Sequence, residues 1–313
     1  NPAFPTVWRN LSLAYYNKRN DKQKALETLE KAYKLDESDA RILMELDQLY
    51  KRLGRSQEER LAFLEAHLSE TESRDDLSIE RITLYNQLGR YEEAKNLIAA
   101  RKFHPWEGGE GKITGQYTIC HMELAKKALQ EKRYADALAL LQATDRYPHN
   151  LGEGKLINAE ENDIWYYKGE AYRGLGDETH AQACFLKATV GTDEPQQAFF
   201  YNDAQPDKIF YQGLAWRALG EEGKARGRFN KLIKHGEKHL FDNCRIDYFA
   251  VSLPDLAIWE DNLNKRNAIH CNYVMGLGYL GLGDTEHAAE YLDKARMLDI
   301  NHQGAQIHRE LCK

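Results

Sequence analysis

An all-α array of about seven helix pairs is the fold class this sequence predicts, and three observations predict it. One pattern recurs in three stretches: Gly169, Tyr172, Gly176, Ala181, Phe185 and Ala188; then Gly213, Trp216, Gly220, Ala225 and Phe229; then Gly276, Tyr279, Gly283, Ala288, Leu292 and Ala295. Weaker copies of the same spacing extend toward the N-terminus. Only 7 prolines interrupt 313 residues, as long helices require. A repeated helix pair stacks into a right-handed superhelical solenoid with an open groove rather than an enclosed pocket.

Each position has a packing reason. The small residue on the first helix (Gly169, Gly213, Gly276) lets its paired helix approach closely, and the aromatic or apolar residue one turn on fills the space beside it. Gly176, Gly220 and Gly283 each follow a Leu and precede a polar residue, which is the setting of a left-handed helix C-cap. Ala181, Ala225 and Ala288 are close-approach points on the second helix, and Phe185, Phe229 and Leu292 fill the next layer.

Taken in order, Trp8, Leu11, Tyr15, Ala25, Leu29 and Ala32 form a first copy, with one extra residue in the turn near Asn20. Leu43, Leu46, Tyr50, Gly54, Phe63 and Ala66 form a second; Tyr85, Leu88, Gly89, Tyr91, Ala94 and Ile98 a third. His121, Leu124, Ala125, Tyr134, Ala137 and Leu141 form a fourth, ahead of the three clear copies. Residues 1–102 thus read as three near-regular repeats and 103–302 as four repeats carrying insertions. The tail, 303–313, reads as a capping helix over the apolar face that the last repeat leaves open.

This code fits the tetratricopeptide repeat, whose signature is W-x2-L-G-x2-Y followed by A-x3-F. The resemblance implies a scaffold that binds protein segments in its groove. The first helices of the later copies offer Tyr166, Tyr167, Phe210, Tyr211 and Tyr273 there, and Arg173 and Arg217 stand apart. Such a lining suits an aromatic-edged or apolar ligand better than the terminal carboxylate of a peptide.

The copies begin at 8, 43, 78, 121, 165, 209 and 272, so their spacing runs 35, 35, 43, 44, 44 and 63 residues. An uninterrupted repeat of this type needs ~34. The surplus falls at about 103–118, 147–162, 190–207 and 233–268. In a solenoid these connections emerge along one edge, where binding often resides. The first holds His104, Trp106 and Glu107; the second Tyr147, Asn150 and Glu153; the third Tyr201, Asn202 and Asp203; the fourth Asp247 and Tyr248, then Pro254 and Asp255 leading into an expected helix through Trp259. They are aromatic-rich where flexible spacers are Gly/Ser-rich, so they are expected to be ordered.

The words F-H-P-W-E-G-G-E-G (103–111), Y-P-H-N-L-G-E-G-K (147–155), F-F-Y-N-D (199–203) and D-Y-F-A-V-S-L-P-D (247–255) carry a second likeness. They resemble the C-terminal region of large bacterial proteins that join an uncharacterised N-terminal domain to a tetratricopeptide array. That resemblance implies a β-rich, carbohydrate-related domain upstream, with no assigned reaction. The chain starts Asn1-Pro2 without Met, in keeping with a piece of a longer or processed protein.

Four readings of the insertions stay open. As a protein scaffold, the chain binds a partner or its upstream domain through groove and edge. As a carbohydrate-binding segment, Trp106, Tyr147, Tyr201 and Tyr248 supply flat faces, and Glu107, Asn150, Glu153, Asp203 and Asp247 supply hydroxyl partners. Glycosidase chemistry requires two carboxyl groups roughly 5–10 Å apart, with His104 or Glu107 as acid or base. In the plainest reading the aromatics pin long loops and the Gly-Glu-Gly pieces are tight turns. No catalytic residue and no cofactor is assigned.

Composition excludes other classes. A net charge of −6 with interspersed signs lacks the concentrated basic face that nucleic acid requires. No apolar run reaches the ~20 residues of a membrane span. The G-E-G-K runs are not phosphate loops, since Trp106 stands where the leading Gly should and Ile113 follows the Lys. His235 and His239 lie four apart, but Glu237 is misplaced for the zinc-protease motif and no third ligand follows. Five scattered cysteines without C-x2-C spacing favour a reducing, cytoplasmic setting, with any targeting segment lying upstream.

Overall fold

The computed structural model describes residues 2–198, 203–245 and 258–313, and sixteen α-helices lie among these described residues. No strand occurs among the described residues, so the all-α expectation holds. The chain divides into two compact units, Asn1–Gln116 with Asp247–Asn262 and Tyr117–Ile246 with Leu263–Lys313.

The first unit contains α1 (Pro5–Arg19), α2 (Lys22–Leu35), α3 (Ala40–Arg52), α4 (Gln57–Ala66), α5 (Leu68–Ser73), α6 (Asp75–Gln87), α7 (Tyr91–Ala100) and the start of α8 (Lys112–Gln130). The second contains the rest of α8, then α9 (Tyr134–Ala143), a 3-10 turn at His149–Leu151, α10 (Asn162–Gly174) and α11 (Glu178–Ala188). It continues with α12 (Pro206–Ala218), α13 (Glu222–His239), α14 (Leu263–Leu282), α15 (Thr285–Leu298) and α16 (Gln303–Glu310). In pairs, α1 packs on α2, α6 on α7, α10 on α11, α12 on α13 and α14 on α15, and in the second unit α10, α12 and α14 also pack side by side.

The turn inside each pair follows one hydrogen-bond scheme. Gly176, Gly220 and Gly283 sit at φ +79°, +82° and +82°. Beyond them, the amides of Asp177, Glu221 and Asp284 donate back to the carbonyls of Tyr172, Trp216 and Tyr279, all at 2.9–3.0 Å. These bonds satisfy carbonyls that the helix end would otherwise orphan. Between α8 and α9 the left-handed position is held by Lys132 (φ +59°). At Asn20 (φ +50°) the Asp21 amide reaches the carbonyl of Tyr15, one residue further back, which is how the extra residue is absorbed. Asp177 and Asp284 then cap the following helices by accepting from the amides of His180 and His287.

Inside the second unit, glycines make room for rings. A Cβ on Gly169 would fall 2.5 Å from the Phe185 ring, and one on Gly213 would fall 2.3 Å from that of Phe229. The same Phe229 ring lies 2.1 Å from where a Cβ of Gly281 would stand, so it is wedged between α12 and α14. Gly174 bears the same relation to Tyr134 of the preceding pair. Gly174 and Gly281 thus form a second glycine series, at the interfaces between pairs, which the repeat pattern does not reveal.

One element of the first unit was not expected, and another expected there lies mostly outside the described residues. The short helix α5 follows α4 directly, held where the Thr71 hydroxyl donates to the Leu64 carbonyl and the Ser78 hydroxyl to that of Thr71. The helix expected from Pro254 falls mainly on 246–257, outside the described residues; Ile258 and Trp259 lie in a bend. Asn17 imposes that bend, donating to the Ile258 carbonyl at 2.8 Å and accepting from the Glu260 amide at 2.9 Å. Trp259 is buried with its ring edge-on to Tyr16 at 5.0 Å.

An ion cluster lies in the core of the first unit. Arg60 on α4 is fully buried and bonds Asp47 of α3 and Glu80 of α6, both at 2.6 Å. Burial lifts the Asp47 carboxyl to about 6 even against the Arg60 guanidinium. The Glu80 carboxyl is held low, burial opposing and the charges of Lys51 and Arg60 prevailing.

Candidate binding face

The first helices of the last three pairs place aromatic residues at equivalent steps: Tyr166 and Tyr167 on α10, Phe210 and Tyr211 on α12, Tyr273 on α14. Because α10, α12 and α14 pack side by side, these residues form one row, in which the rings of α10 and α12 meet directly and Tyr273 joins them through His308. Tyr166 and Tyr167 lie 5.9 and 5.6 Å from Tyr211, Phe210 and Tyr211 are 5.1 Å apart, and most contacts are edge-on or tilted. Such geometry sets ring edges against ring faces, as the aromatic quadrupole favours. The Tyr167 and Tyr211 hydroxyls meet at 3.4 Å.

Burial pushes the phenols of Tyr167, Tyr211 and Tyr273 well above their ordinary range, so each remains a neutral O–H donor. Charges at the margin are paired: Lys208 with Asp163 at 2.6 Å, Lys126 with Glu123 at 2.8 Å. The face is therefore apolar and aromatic with its ions neutralised.

The helix α16 lies on this row. Ala305 is fully buried in the same cluster as Phe210, Tyr211 and Tyr273. The His308 ring stands 5.5 Å from Phe210, 5.9 Å from Tyr211 and 5.7 Å from Tyr273. Its Nδ1 faces the Tyr273 hydroxyl at 3.2 Å and the Gly304 carbonyl at 2.8 Å. Burial, assisted by the charge of Lys126, drives the imidazole down to about 3. Next to Tyr273 a cleft of about 400 Å³ is lined by Pro206, Asp207, Ile269, His270 and His302, among others.

The remaining sequence-predicted residues separate by unit. His104, Trp106 and Glu107 belong to the first. His104 is oriented by Asp75, whose Oδ2 accepts from its backbone amide at 2.8 Å and lies 3.1 Å from its Nδ1. The Trp106 ring fills the space a Cβ of Gly109 would need, 2.2 Å away, and Glu107 is exposed. Gly108 and Gly111 adopt left-handed φ of +82° and +76°, which makes this stretch a sequence of tight turns.

Tyr147, Asn150, Glu153 and Asp203 belong to the second unit and are half-buried. Tyr147 meets the Tyr117 ring edge-on at 6.2 Å and has the Lys155 ammonium 5.7 Å from its ring centre. Buried amides tie the described parts of the insertions down. Asn162 donates to the carbonyls of Ala188 and Val190, Gln212 to that of Thr192, and Asn267 to that of His239. Tyr201, Asn202, Asp247 and Tyr248 lie outside the described residues.

Comparison with known proteins agrees with the local geometry at two places. Residues 6–39 and 163–189 match the family model of the tetratricopeptide repeat, and these stretches coincide with the pairs α1–α2 and α10–α11. Among solved structures, a tetratricopeptide repeat protein from Parabacteroides merdae is 14% identical, with 98% of each chain covered and a TM-score of 0.46. The C-terminal part of a repeat-containing protein of the same type from Cytophaga hutchinsonii is 13% identical over 95% of this chain and 97% of its own, with a TM-score of 0.40. PilW, a type IV pilus biogenesis factor, is 15% identical over 74% of this chain and 92% of its own, with a TM-score of 0.41. At such identities and scores no ligand or partner carries over to this chain.

Proposed function

We propose that this chain is a non-catalytic scaffold that receives a helical protein segment on the aromatic face of α10, α12 and α14. Tyr166, Phe210 and Tyr273 are its binding residues, with Tyr167 and Tyr211 beside them. The observation that carries the reading is the buried cluster of rings on α10, α12 and α14 with a short helix already seated on it. A face that accepts one helix through small and planar side chains has the form needed for helix-in-groove recognition. The two matches to the tetratricopeptide repeat support a protein partner. That partner is a separate protein or an upstream domain of the same one.

The oligosaccharide alternative has less support. Trp106 spends ring surface on Gly109, and Tyr147 on Lys155 and Tyr117, which leaves less flat face for a sugar. The test is selection of amphipathic helical peptides against the whole chain, followed by titration. Tyr211→Ala is expected to weaken the selected peptides at least tenfold without loss of helix signal. Peptides insensitive to Tyr211→Ala but lost with Trp106→Ala or Tyr147→Ala would move the site to the insertions. Oligosaccharide binding lost with those same two changes would favour the sugar reading.

A further inference from the structure

We infer that α16 is an internal ligand: it occupies the aromatic face, and a partner helix binds by displacing it. This rests on the face being the protein-binding site, and adds how that site is regulated and what fits it.

The first support is position. In the second unit each first helix packs on its neighbours, α10 on α12 and α12 on α14. The helix α16 takes the next place in this stack, packing on α15 and α14. From there His308 reaches past Tyr273 to Phe210 and Tyr211 on α12. Thus α16 covers the row from its α14 end and closes on the rings of two helices.

The second support is weak anchorage. Buried His308 leaves its Nε2 without a hydrogen-bond partner among the described residues. Its ring is faced by Lys126 of α8, Asp163 of α10, Lys208 of α12 and the Tyr273 hydroxyl of α14, and by the Gly304 carbonyl of its own helix. The N-cap is His302 rather than Ser or Asp, accepting from the Ala305 amide at 2.9 Å. Outside the cluster, Arg309 pairs with Asp293 of α15 at 2.9 Å, part-exposed and of small worth. An eight-residue helix is too short to persist alone in water, so α16 exists as a helix only while docked. Its short tether supplies a high local concentration, which lets so imperfect an occupant hold the face.

The contacts also define the competitor. Gly304 and Ala305 lie against Tyr273 and the cluster, and one turn later comes a planar ring. A partner helix with two small residues followed, three positions on, by Phe or Tyr would make the same contacts. It would also remove the unpaired ring nitrogen and the need to hold an imidazole uncharged.

The experiment uses the full chain, Ala305→Glu to eject α16, and a dye-labelled peptide of residues 299–313 carrying Phe at position 308. Hydrogen exchange should show 303–310 unprotected in Ala305→Glu with α12 and α14 unchanged. The peptide should bind this variant at least tenfold more tightly than the wild type, and Tyr211→Ala in the same background should abolish binding. Persistent protection of α16, equal binding to both proteins, or no binding to a folded variant with α16 released would each overturn the inference. If Ala305→Glu disturbs α14, His308→Phe in the full chain decides: slower exchange of 303–310 than in the wild type supports the inference, and unchanged or faster exchange overturns it. A peptide that binds as expected while no partner helix does would refute the scaffold reading and leave α16 as a detachable lid.

Discussion

Two chemically identical substitutions, Gly213→Ala on α12 and Gly227→Ala on α13, should change stability in opposite directions. A Cβ at Gly227 meets nothing within 4 Å, so alanine there brings only its helix preference, about 0.5–1 kcal/mol of stabilisation. At Gly213 the Cβ would fall 2.3 Å from the Phe229 ring, which is fully buried and blocked on its far side by Gly281. The ring cannot retreat, so overpacking falls in the upper part of its usual range, about 2–3 kcal/mol, against which the same helix preference returns up to about 1. The net expectation is a loss of about 1–2 kcal/mol, and a separation between the variants of roughly 2–3 kcal/mol. Urea unfolding followed by circular dichroism measures both, and exchange in α12–α14 locates the effect. Phe229→Leu should recover part of the loss in the Gly213→Ala background while destabilising alone, a coupling that a double-mutant cycle isolates. If Gly213→Ala proves neutral or stabilising, or uncoupled from position 229, the wedge does not hold the pairs together.

Other consequences can be measured on the same protein. Replacing Arg60 with Met should cost about 3–5 kcal/mol, because Asp47 and Glu80 lose a buried partner, and pairing it with Asp47→Leu should return much of that in urea unfolding. His270 and His308 are held neutral, driven down to about 4 and about 3 chiefly by burial, while an unfolded histidine titrates near 6.5. Their stability is therefore complete above pH ~6.5 and falls below it, by about 2 kcal/mol each at pH 5. Thermal melts of His308→Phe should show a correspondingly shallower slope in acid. Once corrected for intrinsic rates, the opening of α16 should rise about tenfold per pH unit below 6.5 for each buried histidine it releases, and His308→Phe should remove its share while that of the capping His302 remains. Finally, Gly176→Ala should cost about 1 kcal/mol and Lys132→Gly should gain a similar amount, both positions being left-handed.

The helix pairs were legible because each turn depends on local chemistry. A glycine in the left-handed region, a carbonyl-to-amide closure and an aspartate cap all lie within a few residues, so Gly176 with Asp177 and Gly283 with Asp284 announce themselves. The aromatic row was legible in part: Tyr166, Phe210 and Tyr273 stand at matching steps of their copies. What escaped were effects between pairs. Gly281 looks like any other glycine until α14 is laid against Phe229, and Asn17 gives no sign of holding a bend at residues 258–260. Trp106 promised an open ring face, but Gly109, three positions on, gives that ring a bed within its own loop.

The tail was legible as a helix, but its reach to the rings of α12 was not, for a reason that bears on function. Read alone, 303–313 has small residues and a histidine where a packed helix would carry Leu or Phe, so it looks like a modest cap. The rings it meets, Phe210, Tyr211 and Tyr273, already supply the bulk, and a narrow helix completes the layer better than a wide one. A permanently fixed helix would gain from an apolar ring at position 308, which would need neither to stay uncharged near Lys126 nor to leave Nε2 unpaired. Histidine instead keeps docking weaker than the site allows. A face that can bind more strongly than its resident helix does has affinity to spare for an incoming one, and that difference is what displacement requires.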